Sequence, residues 1–169
     1  MTSPRGPRTS ADIRRRQLVA CAVTEFARHG FRGATTEAIA RQVGVSQPYL
    51  FRLMPSKHAI FLEALRHAFE MLERAEPNPG EGAVSARLRL LRNNTGELAK
   101  LLLQGFAAAT DDEAVADLLR SRVRRLAARL GCRYEDLATE LLRPALGPNL
   151  IPGPRVPASA PVASHQQHA

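Results

Sequence analysis

The sequence predicts an all-α chain. Apolar residues recur at helical spacing in every periodic segment, and no alternating run of the kind that makes a strand occurs. Ser, Thr, Asp and Gly also stand where such helices would start and stop. Aromatic residues are only 5% of the chain, with no Trp, so Leu, Ala and Val must build the core. A length of 169 residues suits one domain, or a small module with a modest second one.

Residues 1–9 are rich in Pro, Arg and Ser and are expected to form a disordered basic arm. From Ser10 the first helix begins, with Asp12 in its first turn and Leu18, Val19, Ala22, Val23 and Phe26 along one stripe; Gly30 stops it. A short second helix follows, capped by Thr35, with Glu37 in its first turn and Ala38, Ile39 and Val43 inward, and Gly44 ends it. Ser46 caps a third short helix that tolerates Pro48, because first-turn N–H groups have no intrahelical partner. Pro55 closes that helix and Ser56 caps the fourth, which carries Phe61, Leu65, Ala68, Phe69 and Leu72.

Residues 76–82 (Glu-Pro-Asn-Pro-Gly-Glu-Gly) form a turn-rich linker. It divides a head at 10–75 from a body at 83–146. In the body, Val84, Leu88 and Leu91 form one stripe, interrupted at 93–96 (Asn-Asn-Thr-Gly), and Leu98, Leu101, Leu102 and Phe106 form the next. Asp111, Asp112 and Glu113 open a long helix at the end where the macrodipole favours acids. Its apolar stripe is Leu119, Val123, Leu126 and Leu130. A last helix runs from about Tyr134 to Arg143 and meets Pro144; residues 147–169, with five prolines and no acid, read as a disordered tail.

The formal charge is +8, and its placement matters more than its size. Residues 1–57 hold ten Arg and Lys against three acids, a net +7, whereas the remaining 112 residues carry +1. A polyanion partner for the first third of the chain is the natural reading, nucleic acid first; the alternative is a general bias to Arg, which supplies 22 of the 24 basic residues. Cys21 and Cys132 are too few and too far apart for a disulfide framework or a Cys-based zinc site. No run approaches the ~18 apolar residues of a membrane span, and the first residues lack the apolar stretch of a signal peptide. A soluble, reducing, cytoplasmic setting is the expectation.

The informative stretch is 35–57. A second helix of about eight residues, a glycine turn and a third helix from Ser46 make helix-turn-helix spacing, in which the later helix lies in a DNA major groove with its N-terminal residues at base edges. Those residues are Gln47, Pro48 and Tyr49. A Gln can address adenine with two hydrogen bonds, and Pro or a ring can press on a thymine methyl. Helix N-termini and their capping hydroxyls hold phosphates, which suits Thr35, Thr36, Ser46 and Ser56, while Arg52 and Lys57 add cations.

Residues 14–65 also resemble the DNA-binding domain of the tetracycline-repressor (TetR) family of bacterial regulators. The resemblance is carried by the ordered runs Phe26-Ala27-Arg28-His29-Gly30-Phe31, Ala34-Thr35-Thr36, Ile39-Ala40 and Gly44-Val45-Ser46. It continues through Gln47-Pro48-Tyr49-Leu50-Phe51-Arg52, Pro55-Ser56-Lys57 and Ala59-Ile60-Phe61. It implies a three-helix DNA-binding head, a helical body, and a homodimer on a palindromic operator that represses until a small-molecule effector binds the body. Gln47, Pro48 and Tyr49 then look like the base-reading face, and Thr36 and Lys57 like phosphate anchors. Two positions depart from the family pattern. Phe51 stands where a Tyr often donates to phosphate, and Leu53 where a His or Tyr often stands. Both are expected to pack the third helix on the first and fourth, leaving phosphate contacts to Arg52, Tyr49 and the basic arm.

In the body, Leu102, Gln104 and Phe106 are candidates to line a ligand pocket, although Leu102 and Phe106, at i and i+4, also fit the core. The resemblance assigns the dimer bundle to the last two helices, which makes Leu119, Val123, Leu126 and Leu130 candidates for the interface. The short last helix before Pro144 also suggests an alternative: a truncated or accessory member with an intact head and a body that does not dimerise. No cofactor or metal is expected, since His29, His58 and His67 lack metal-ligand spacing. An enzyme is not expected either, because no phosphate-binding Gly loop and no Ser/His/Asp set can be placed.

Overall fold

The computed structural model describes residues 10–93 and 96–146, with the side chains of Ser10 and Ala11 excepted. The basic arm at 1–9, the tail at 147–169 and Asn94 and Thr95 lie outside the described residues. Eight helices make up the described chain: α1 (Ser10–Gly33), α2 (Thr36–Val43), α3 (Gln47–Leu53), α4 (Lys57–Arg74), α5 (Ala83–Arg92), α6 (Glu97–Ala108), α7 (Glu113–Leu130) and α8 (Tyr134–Leu146). No strand occurs among the described residues.

The capping chemistry works as the residue types dictate. Thr35, Ser46, Ser56 and Asp112 each accept, through the side chain, a backbone N–H three residues on. Such a cap is worth about 1 kcal/mol. Gly44 and Gly131 end α2 and α7 in the left-handed conformation that a Cβ disfavours.

Gly30 breaks the helical course of α1 as expected, with φ 68° and ψ 178°, and one further turn beyond the kink continues to Gly33. The Ala34 N–H donates to the Gly30 carbonyl at 3.1 Å, which re-anchors the chain beyond the kink. Pro144 does not end α8, which runs on to Leu146. So near a C-terminus, proline forfeits one hydrogen bond of a turn that has few left to lose.

A single apolar core runs through the molecule. Leu18, Ala22 and Phe26 of α1 meet Ile39, Leu50, Ile60 and Phe61, and the same cluster continues through Leu98, Leu101 and Leu102 of α6 to Val123, Leu126, Leu137 and Leu141. Helix α1 packs on α6 as well as on α2 and α4, so the first helix belongs to both halves of the chain. At the kink, Phe26, Phe31 and Phe61 form a three-ring cluster with centroids 4.9–6.3 Å apart. Gly105 lets α6 approach α4 closely: a Cβ there would lie 2.7 Å from Leu65 Cδ2.

Polar cross-ties join the halves. Glu97 of α6 accepts from Thr24 at 2.9 Å and pairs with Arg28 at 3.3 Å, both on α1. Arg122 of α7 pairs with Glu73 of α4 at 3.3 Å. Arg87 of α5 is buried; one of its terminal nitrogens donates to the Ala83 carbonyl at 2.8 Å, and its Nε has no hydrogen-bond partner among the described residues.

Candidate nucleic-acid interface

The α2–turn–α3 unit is held on α1 by a buried carboxylate. Glu25, 5% exposed, accepts the Thr35 N–H at 3.2 Å through Oε1 and the Gln42 amide at 3.3 Å through Oε2. It therefore fixes both the start and the far end of α2. The sign of this role in the sequence is an acid set close to Val23 and Phe26 of the apolar stripe of α1. Such a group is tolerated inside only when hydrogen-bonded.

Leu50, fully buried, anchors α3, and Leu53 packs against the same core. Gln47 opens the helix. Its amide donates to Thr36 Oγ1 at 2.8 Å and to Glu37 Oε1 at 2.7 Å, which ties the first turn of α3 to the first turn of α2. The exposed Pro48 follows, and the half-buried Tyr49 ring lies under the Arg52 guanidinium, 5.1 Å from centroid to carbon. Arg52, Thr35, Ser46 and Ser56 are exposed. Thr36 is instead buried at 8% exposure, with its hydroxyl engaged by Gln47. Lys57 Nζ donates to the Arg32 carbonyl at 3.1 Å and sits 5.2 Å from the centre of the Phe31 ring.

Phe51 corrects an expectation. It does not pack α3 onto its neighbours but is 40% exposed, one of two large apolar side chains so open among the described residues; the other is Ile13 of α1, at 48%. A seven-residue helix has one buried face, and Leu50 and Leu53 occupy it. Phe51 is left on the side of α3 that also carries Arg52.

The candidate body residues lie in different settings. Leu102 is fully buried in the core, Phe106 packs half-buried against it, and Gln104 alone of the three lines an open groove, alongside residues 29–32 of α1. The proposed dimer stripe is turned inward: Leu119, Val123 and Leu126 are at most 2% exposed in the chain's own core, and only Leu130 is partly open. A side chain already closed off by its own chain offers no area to a partner. The solvent face of α7 carries Arg120, Arg124, Arg125 and Arg129 instead. Cys21 and Cys132 are free and half-buried, and burial pushes the Cys21 thiol up.

No described helix is long and apolar enough to cross a membrane. Residues 18–64 match the family model for bacterial regulatory proteins of the tetR family. No match was found among curated proteins. Among solved structures the chain is similar to a candidate TetR-family transcriptional regulator from Mesorhizobium loti MAFF303099, at 17% identity and a TM-score of 0.51, covering 82% of this chain and 78% of that one. It is similar to a candidate transcriptional regulator from Streptomyces coelicolor at 22% identity and TM-score 0.53, covering 78% of this chain and 77% of that one. A candidate transcriptional regulator from Pseudomonas aeruginosa PAO1 matches at 21% identity and TM-score 0.51, covering 83% of each chain. At these identities the structures speak to the fold, and the match over 18–64 speaks to the helix-turn-helix that Glu25, Gly44 and Leu50 hold together. Residues 18–64 thus carry a helix-turn-helix module that matches the tetR-family model, in a chain whose fold is similar to those of the solved regulators.

Proposed function

We propose that the chain represses transcription as a homodimer on a palindromic operator and is released by a small-molecule effector. In this reading α3 enters the major groove, with Gln47, Pro48 and Tyr49 at base edges. Thr35, Ser46, Arg52, Ser56 and Lys57 face the flanking phosphates. Thr36 acts indirectly, by orienting Gln47 through the hydrogen bond they share. The observation that carries the reading is the α2–α3 pair itself: two short helices joined by a left-handed Gly44, with an amide, a proline and a ring leading the second. The net +7 of residues 1–57 suits the phosphate backbone.

The test starts from an operator selected out of a random duplex pool, with affinity followed by fluorescence anisotropy against salt. Lys57→Ala is expected to weaken binding on all sequences and to flatten the salt slope by about one contact. Gln47→Ala is expected to cost about 1–3 kcal/mol, mainly at one base step. If the two variants behave alike on operator and random DNA, the base-reading assignment is wrong.

The dimer is part of the proposal, and sedimentation at micromolar concentration tests it. Leu119, Val123 and Leu126 lie inside the chain's own core, so in this reading the interface draws on the outer faces of α7 and α8, where Leu118 and Leu130 are partly open. The alternative, an accessory member with a deficient body, is not favoured, because the chain spans 77–83% of the solved structures it matches. A monomer in that experiment would reverse this preference.

A further inference from the structure

Where α1 passes its kink and meets the α6–α7 turn, the surface opens into a groove of about 440 Å³. This volume falls within the range of small-molecule sites. One wall is formed by Phe31 and Arg32 of α1, the other by Gln104 and Ala108 of α6 and by Asp111 in the turn. The Arg32 guanidinium and the Asp111 carboxylate are exposed, carry opposite charges and line the same groove, yet they form no ion pair with each other. Neither side chain has any hydrogen-bonding or ionic partner among the described residues. Of the other ionisable groups nearby, Asp112 is occupied by His58 at 2.7 Å and by the Val115 N–H at 3.1 Å, Lys57 by the Arg32 carbonyl, and the exposed His29 also lines the groove. The Phe31 ring, Ala108 and Gln104 line the same groove.

The geometry points to a binding site for a zwitterionic small molecule with an apolar body. Its carboxylate would be taken by Arg32, its ammonium by Asp111, and its hydrocarbon part laid against Phe31 and Ala108. A molecule bearing a single charge would satisfy one wall and leave the other as it is. The zwitterion answers both, and in doing so fastens the end of α1 to the α6–α7 turn. The groove lies where the end of α1 meets the α6–α7 turn, with residues of both lining it. Binding is measured on the chain without DNA, so it stands or falls independently of the operator assignment.

The experiment is calorimetric titration of the full chain with L-phenylalanine, L-leucine, γ-aminobutyrate and ε-aminocaproate, which together cover α, γ and ε spacings of the two charges. Phenethylamine and hydrocinnamate serve as the single-charge controls. At least one zwitterion is expected to bind saturably at millimolar concentration or below. Arg32→Gln and Asp111→Asn are each expected to weaken it about tenfold, as loss of a hydrogen bond to a charged group does. Phenethylamine should respond to Asp111→Asn only, and hydrocinnamate to Arg32→Gln only. Both positions are exposed, and thermal unfolding checks that each variant is folded. Failure of every zwitterion to bind overturns the proposal, and so does binding that neither substitution weakens.

Discussion

Gly30 is where the course of α1 is decided, and replacing it by Ala is the sharpest test of the structure. Its φ of 68° with ψ of 178° lies in a region that only glycine occupies freely. Holding an alanine there costs on the order of 1–3 kcal/mol. A Cβ would also come within 2.7 Å of Gln104 Oε1, but that atom ends a flexible side chain and can swing away. The backbone is therefore the larger cost. Relaxing it would straighten the kink and draw Phe31 from its contacts with Phe26 and Phe61 at 6.3 and 5.0 Å. At about 2–4 °C per kcal/mol for a chain of this size, Gly30→Ala should lower Tm by roughly 2–12 °C. Circular-dichroism melts at one fixed protein concentration would measure this, since self-association makes Tm concentration-dependent. Gly44→Ala is the comparator: its φ of 74° and ψ of 38° are ordinary left-handed values with nothing within 4 Å of the new Cβ, so it should cost less, about 1–2 kcal/mol. A Gly30→Ala melt within about 1 °C of wild type would refute the strain argument. Full rescue by adding Gln104→Ala would move the cost from the backbone to the side-chain clash.

Three further outcomes are expected. Glu25→Ala leaves the Thr35 N–H and the Gln42 amide without their acceptor, so stability should fall by about 1–3 kcal/mol, and amide exchange at Thr35 should quicken in NMR. Leu126→Ala opens the chain's own core and should cost about 2–5 kcal/mol in urea unfolding; a residue reserved for a partner would change the concentration dependence of sedimentation instead. The third concerns acid. The Asp112 carboxyl is held below its ordinary range, first by the Val115 N–H it accepts and then by His58, against an opposing effect of burial. A depressed folded-state pKa gives stability that is complete above the unfolded value, near pH 4, and is lost as pH falls through the lowered one. Asp112→Asn keeps a capping oxygen but cannot titrate, so its stability curve should be flatter than wild type below about pH 4. Equal acid slopes would show that Asp112 contributes nothing to them.

The parts of this protein legible in the chain were those set by neighbours in sequence. Thr35, Ser46, Ser56 and Asp112 cap because a short hydroxyl or carboxylate reaches the N–H three residues on, wherever the helix sits. The glycine turn at 44 and the helical period of Leu18, Ala22 and Phe26 are equally local, and so the helix-turn-helix could be placed at 35–53 before any packing was known. A breaker close to a terminus acts more weakly, and α8 runs through Pro144 to Leu146.

Tertiary structure decided which apolar face meets what. The stripe Leu119, Val123, Leu126 and Leu130 has the same period whether it faces a partner or its own core, and only the position of α7 against α6 and α8 turned three of the four inward. Phe51 and Leu53 are both apolar, yet the single buried face of α3 took Leu53 and left Phe51 in solvent. Glu25, Gln47 and the unpaired charges of Arg32 and Asp111 owe their settings to segments distant in the chain. Periodicity says that a face is apolar and charge says where a polyanion is welcome; what each face touches is a property of three-dimensional packing alone.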